Sequence, residues 1–254
     1  MRTASTTLWA STMFWVAANA QNSPAILAMD PFIDAIEAMK RSVAPVACLT
    51  IDDRKFIERR GSAFFVTAGG AFVTAAQVVQ EIKKSDPPCP VSAVALPLGR
   101  WQPDALNEAL AWFRFQPSNC SIDTDLDVAK CPLMGDLSSP RARLPTIVPV
   151  TLESSIPPDG TQVAFTGFPT GARDPMTVRA DVVAYRPVRR NERIIGEIVL
   201  DRAAWPGFSG SPVYLSDGRV IGIVVAGRTD ERTALTILRP VLAARTLLID
   251  PEKK

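Results

Sequence analysis

Residues 207–212 have the sequence GFSGSP, which fits the pattern G-x-S-G-x-P. Glycine in such a stretch allows a tight turn that directs the backbone N–H groups of Gly207 and Ser209 toward one point, where they can bind an oxyanion. Ser209 is then a candidate nucleophile, and Gly207 is a candidate oxyanion donor. A short pattern of this kind also occurs in ordinary Gly/Ser turns. Other segments of the chain are therefore needed to distinguish a catalytic motif from an ordinary turn.

Two upstream segments favour the functional interpretation. The sequence GSAFF at 61–65 leads through Gly69-Gly70 to TAAQVV at 74–79, and DVA at 127–129 follows 50 residues after Gln77. In these segments and in their order the chain resembles the chymotrypsin-fold (trypsin-like) serine proteases, most closely the bacterial HtrA/DegP-type branch. That family has G-S-G-F, then T-A-A-H-V-V, then D-[IVL]-A, then P-G-N-S-G-G-P. The similarity extends from about Val43 to Pro240.

The resemblance implies a role for each matching residue. Ser209 takes the place of the nucleophile, Asp127 that of the triad acid, and Gln77 that of the histidine. In the family, histidine accepts the serine proton, and the aspartate orients the imidazole. A carboxamide has no basicity near neutral pH, and this chain contains 0 histidines. We expect Gln77 to act structurally instead, with its side-chain amide bridging Asp127 and Ser209.

Two functions follow from this departure. Loss of the triad histidine costs on the order of a millionfold in turnover in a well-studied serine protease. We therefore predict a catalytically impaired relative, a pseudoprotease that binds a peptide or protein. The alternative is a serine endopeptidase that cleaves after small or medium apolar residues. Ala203 lies where relatives with basic specificity carry an acid, so we expect an apolar pocket walled by Val224, Val225 and Ala226, although these residues also suit a buried strand.

The hydrophobic pattern predicts an all-β fold. Short β-branched or aromatic runs recur in two series, which we assign to two packed antiparallel β-barrels at about 44–137 and 145–240. The second series includes the run 146–152 and follows a polar linker at 138–143. A short helix after Asp30-Pro31, in the segment 21–43, and a helix over 240–248 flank the barrels. The protease-like domain is expected to span 44–254.

The N-terminus predicts export. Arg2, an apolar stretch from Leu8 to Val16, and Ala18-Asn19-Ala20 form a signal-peptide pattern over residues 1–20, with cleavage between Ala20 and Gln21. The apolar run is too short for a membrane anchor, and no later run is long enough for an integral span. We therefore expect a secreted or periplasmic protein.

The cysteines and charges limit the other classes of function. Cys48, Cys89, Cys120 and Cys131 allow three pairings. We favour a Cys89–Cys120 disulfide, with Cys48 and Cys131 as buried thiols. Without histidine or a C-x-x-C pair we expect no metal site, and we expect no cofactor.

The net charge of +2 argues against a nucleic-acid partner. Arginines at 186, 189, 190 and 193 predict a solvated basic loop, with docking of an acidic partner as the lesser alternative. The sequence does not decide the oligomeric state.

Overall fold

The computed structural model describes residues 30–49, 57–97, 110–136, 146–229 and 234–248. Two β-sheets make up most of this part of the chain, as the short β-branched runs predict. The first sheet has the strand order β6-β7-β3-β2-β1-β4-β5-β8. Its strands are β1 (Val43–Leu49), β2 (Ile57–Phe65), β3 (Phe72–Ala75), β4 (Val91–Pro97), β5 (Leu110–Arg114), β6 (Ser121–Asp123), β7 (Val128–Cys131) and β8 (Gly135–Asp136).

The second sheet closes into a barrel with the strand order β10-β11-β14-β13-β12-β9. Its strands are β9 (Gln162–Gly167), β10 (Met176–Arg190), β11 (Arg193–Leu200), β12 (Pro212–Tyr214), β13 (Val220–Thr229) and β14 (Ala234–Pro240). Each sheet has an aromatic core. Phe72 packs edge-on against Phe115 at 5.2 Å in the first sheet, and Phe165 packs edge-on against Phe208 at 5.1 Å in the second.

Three helices complete the described fold: α1 (Phe32–Lys40), α2 (Ala76–Lys84) and α3 (Val241–Leu248). The carboxylate of Asp30 accepts the N–H of Phe32 at 2.9 Å, which satisfies a donor at the start of α1. No helix in the described ranges is long and apolar enough to cross a bilayer.

A shared apolar core joins the two sheets and the two outer helices. Phe64 and Val128 from the first sheet and Tyr214 from the second lie in one buried cluster, together with Phe32 of α1 and Val241 of α3. Burial of this surface fixes the orientation of the sheets, because separating them would expose large apolar side chains to water. The interface between the sheets is therefore a rigid base for a site.

The predicted all-β fold with flanking helices is confirmed, and one predicted strand is wrong. Residues 146–152 form an extended connection in which only Leu152 makes a β-bridge, to Val220. Pro149 has no N–H and cannot donate to a ladder, which accounts for the lack of strand pairing. The predicted signal peptide and the linker at 138–143 lie outside the described residues.

The predicted disulfide is also wrong. The structure pairs Cys48 with Cys89 and Cys120 with Cys131, with Cα–Cα distances of 5.6 and 4.2 Å, so Cys48 and Cys131 are not thiols. Strand register explains both bonds. Cys48 is opposite Ser92 in the β1–β4 pair, close to the segment that precedes β4. Ser121 is opposite Lys130 in the β6–β7 pair, which brings the adjacent cysteines together.

The arginine cluster lies on a hairpin, not on a loop. Strands β10 and β11 pair up to Arg190 opposite Arg193. Beyond this pair, Asn191 at the tip donates to Asp125. Arg193 forms an ion pair with Asp123 at 2.9 Å. The hairpin of the second sheet thus contacts the acidic segment that precedes β7 in the first.

A buried ion pair in the second sheet contacts the same acidic segment before β7. Arg239 on β14 is 1% exposed, and Glu197 on β11 is 2% exposed. The guanidinium and carboxylate are 3.5 Å apart. Arg239 also donates to the carbonyls of Leu126 at 2.8 Å and Gly196 at 3.0 Å. Because Leu126 precedes Asp127, this arginine fixes the backbone that carries the predicted triad acid.

We predict that Glu197→Leu destabilises the protein by about 3–5 kcal/mol, since it leaves the Arg239 charge buried without a carboxylate. The double variant Glu197→Leu/Arg239→Met removes both charges and is expected to recover most of the loss. Urea unfolding of the two variants and the wild type measures the difference. A single variant as stable as the double variant would contradict the role of the pair.

Candidate active site

The structure brings Gln77, Asp127 and Ser209 together at the interface between the sheets. Gln77 lies in the first turn of α2, directly after β3, and Asp127 directly precedes β7, the neighbour of β3. Two hydrogen bonds join the start of α2 to Asp127. Ala76 N–H donates to the Asp127 carbonyl at 3.1 Å, and Gln77 N–H donates to Asp127 Oδ1 at 2.8 Å. They hold Asp127 at φ 54°, a conformation that non-glycine residues seldom adopt.

The Asp127 carboxylate is poorly solvated. Burial raises its pKa to about 6, although N–H groups of Gln77 and Ala76 and the charges of Arg239 and Arg190 act in the opposite direction. Ionised Asp127 is therefore destabilised relative to the same group in water. An imidazolium at position 77 would offset that cost, and a neutral amide does not.

The Gln77 side chain makes two hydrogen bonds. Its Nε2 donates to the backbone carbonyl of Val225 at 2.6 Å and to Ser209 Oγ at 3.1 Å. Only the NH₂ end of the amide can lie that close to a carbonyl oxygen, because two acceptors would repel each other. The expected side-chain bridge from Ser209 to Asp127 is thus not present, since the backbone N–H of Gln77, and not its amide, contacts the aspartate.

Ser62 on β2 holds the turn that carries Ser209. Its N–H donates to the Ser209 carbonyl at 2.9 Å, and its Oγ donates to the Gly207 carbonyl at 2.7 Å. The same Oγ accepts the N–H of Phe168 at 2.8 Å. Ser62 lies in the motif GSAFF, but the motif alone predicts no role for it.

The peptide between Pro206 and Gly207 is fixed by a neighbouring turn. Thr170 N–H donates to the Pro206 carbonyl at 2.8 Å. In a trans peptide the N–H points opposite to the carbonyl, so the Gly207 N–H points away from Thr170. Within the described part of the chain, the N–H groups of Gly207 and Ser209 donate to no acceptor. Both remain available to a ligand, as an oxyanion site requires.

A family model for the trypsin-like peptidase domain matches residues 61–223, which include Ser62, Gln77, Asp127 and Ser209. The chain belongs to the trypsin-like peptidase family. Curated proteins give no significant match.

Solved structures of trypsin-like proteases share the fold. The Rv3671c protease from M. tuberculosis in its active form has a TM-score of 0.57 at 16% identity, over 84% of this chain and 82% of that one. The MamO protease domain from Magnetospirillum magneticum has a TM-score of 0.59 at 16% identity, over 85% and 100%. Deg5 has a TM-score of 0.59 at 19% identity, over 83% and 89%.

In this trypsin-like domain an apolar side chain anchors the turn that carries Ser209. Phe208, between Gly207 and Ser209, is 0% exposed and packs on Phe165 in the barrel core. Gly207 has φ 95°, and a Cβ there would come within 2.5 Å of the Phe168 carbonyl. Glycine is therefore required at 207 for conformation and for space.

The residues predicted to line a specificity pocket have different roles. Val224 lies in the barrel core, Val225 presents its carbonyl to Gln77, and Ala203 and Ala226 are half-buried. The segments that flank the predicted pocket touch each other: a Cβ on Gly227 would be 2.3 Å from the Ala204 carbonyl. Residue 227 therefore has no room for a side chain of its own.

Among the described residues, no group of three or more His, Cys, Asp or Glu side chains could hold a metal ion. The groups that the described structure brings together at the interface are a hydroxyl, an amide, a carboxylate and two backbone N–H groups.

We predict that the stability contributed by Asp127 falls as the pH rises from about 4 to 6. Its folded pKa of about 6 lies above the ordinary 3.8, so the native state binds the proton more tightly than the unfolded chain. Relative to Asp127→Asn, the wild type should lose about 2 kcal/mol between pH 4 and pH 7. Denaturant unfolding at several pH values measures this difference. Asp159→Asn, at an exposed position, is the control, and an equal pH profile for both variants would contradict the prediction.

Proposed function

We propose that this trypsin-like domain is a pseudoprotease that binds a peptide segment and does not cleave it efficiently. The observation that carries the proposal is the direction of one hydrogen bond: Gln77 Nε2 donates to Ser209 Oγ at 3.1 Å. A general base must accept the serine proton, and an amide NH₂ group can only donate. Ser209 therefore has no route for losing its proton to residue 77.

Substitution of the base by a nearby lysine has little support. Lys130 is the lysine nearest to Asp127 in the sequence, and its Nζ donates to the Leu248 carbonyl at the end of α3 at 3.1 Å. Its strand position is opposite Val73, away from the turn that carries Ser209. A Ser-Lys dyad at Ser209 would require Lys130 to give up its hydrogen bond to Leu248.

A free strand edge supports binding of an extended peptide. Residues 226–229 of β13 pair with 234–237 of β14 on one side. On the other side β12 pairs with β13 only at 220, 222 and 223, so the edge next to Val225 is open in the described structure. A peptide can add to such an edge by backbone hydrogen bonds.

The compartment we propose is outside the cytoplasm. Two disulfides, Cys48–Cys89 and Cys120–Cys131, are typical of proteins that fold in an oxidising environment. The signal-peptide pattern that ends at Ala20 supports the same assignment. We propose a periplasmic or secreted protein.

Endopeptidase activity is the second candidate, because Ser209, Asp127 and the two free N–H groups are the remaining parts of a protease site. A serine-directed fluorophosphonate distinguishes the two functions, since it labels only an activated hydroxyl. The pseudoprotease requires that the wild type stay unlabelled, whereas labelling that disappears in Ser209→Ala would establish an active enzyme.

We predict that Gln77→His raises hydrolysis by at least about a thousandfold over the wild type, since only the base is missing from the site. Its ring would lie between Ser209 Oγ and the Asp127 carboxylate, and Ala203 predicts small or medium apolar residues before the cleaved bond. Turnover of an alanine-rich chromogenic peptide measures the gain. The control is Gln77→His/Ser209→Ala, which should be inactive. A folded but inactive single variant would show that more than the base has been lost.

A further inference from the structure

Because Gln77 donates to Ser209, the Ser209 hydroxyl offers a ligand a different hydrogen bond from that of a triad serine. Both Nε2 hydrogens of Gln77 are used, one on the Val225 carbonyl and one on Ser209 Oγ. Ser209 Oγ is therefore an acceptor toward Gln77, and its own hydrogen must point elsewhere. Among the described residues no acceptor takes it. In a Ser-His-Asp triad this hydrogen is donated to the imidazole. Here the Ser209 hydroxyl hydrogen has no such acceptor and can be donated to a ligand.

Three donors of the turn that carries Ser209 thus lack an internal acceptor among the described residues. They are the Ser209 hydroxyl and the backbone N–H groups of Gly207 and Ser209. The Thr170–Pro206 bond and the three bonds of Ser62 keep the turn in place without a ligand. Donors that are already positioned and lack an acceptor are best satisfied by an anion, since hydrogen bonds to a charged acceptor are roughly twice as strong as neutral ones.

We propose that the site binds the C-terminal carboxylate of a peptide. The inference rests on the proposed peptide-binding function and names its ligand. A carboxylate has two oxygens with about four lone-pair positions, enough for all three donors, whereas an internal peptide carbonyl has one oxygen. With no base opposite Ser209, the site has the composition of a receptor for a chain end.

The position of the site indicates a peptide end and not a free organic acid. The open edge of β13 begins beside Val225, whose carbonyl contacts the same Gln77 amide as Ser209. A chain that pairs with this edge can therefore place its terminus at the three donors.

The test compares two random heptapeptide pools that differ only at the C-terminus, one a free acid and one an amide. Each pool is passed over the immobilised full chain, and the retained peptides are quantified and sequenced. We expect the free-acid pool to be retained at least about tenfold better. Ser209→Ala should lower this retention about tenfold, whereas Ser118→Ala, at an exposed position on the turn after β5, should not change it.

Nitrogen-15 NMR gives an independent readout that requires no variant. Acetyl-dialanine should shift the Gly207 and Ser209 amide resonances, and acetyl-dialanine amide should not. Equal retention of both pools would overturn the carboxylate site and leave the peptide-binding function standing. If neither pool were retained and neither resonance moved, the carboxylate site and the peptide-binding function would both be wrong.

Discussion

The turn that carries Ser209 belongs to the second sheet, yet it is held by Ser62 of the first. One residue supplies an N–H to Ser209, a hydroxyl hydrogen to Gly207 and an oxygen to Phe168. Each bond is worth on the order of 1 kcal/mol in net stability, and losing a buried partner costs more. The relative position of the sheets and the shape of the turn therefore depend on the same contacts, and a shift of one sheet would change the site.

The exchange of imidazole for an amide alters more than basicity. It reverses the donor and acceptor roles at Ser209, because Gln77 Nε2 can only donate. It also leaves Asp127 without a cationic neighbour on α2, and burial raises the pKa of that carboxyl to about 6. Arg239, which is paired with Glu197, and Arg190 are the cations that lower the pKa of Asp127 against the effect of burial. Gln77 contacts both Asp127 and Ser209, but the electrostatics of the site differ from those of a Ser-His-Asp triad.

Local patterns in the sequence were sufficient for the fold and for the positions of Gln77, Asp127 and Ser209, because each lies in a short motif next to a strand. The features that could not be predicted depend on contacts between residues that are far apart in the sequence. The pairing of Cys48 with Cys89 follows from β1 beside β4, and the arginine hairpin is defined by its contacts with Asp123 and Asp125. The Val225 carbonyl is a backbone atom, and its role is independent of side-chain identity.

The bond from Thr170 to the Pro206 carbonyl also bears on how fast a ligand could bind. A site whose donors are in place before the encounter needs no loop closure, so the protein contributes little to the ordering cost of association. The rate of capture is then limited by diffusion and by the ligand's own loss of freedom. Differences in affinity among ligands of such a site then lie mainly in the rate of release.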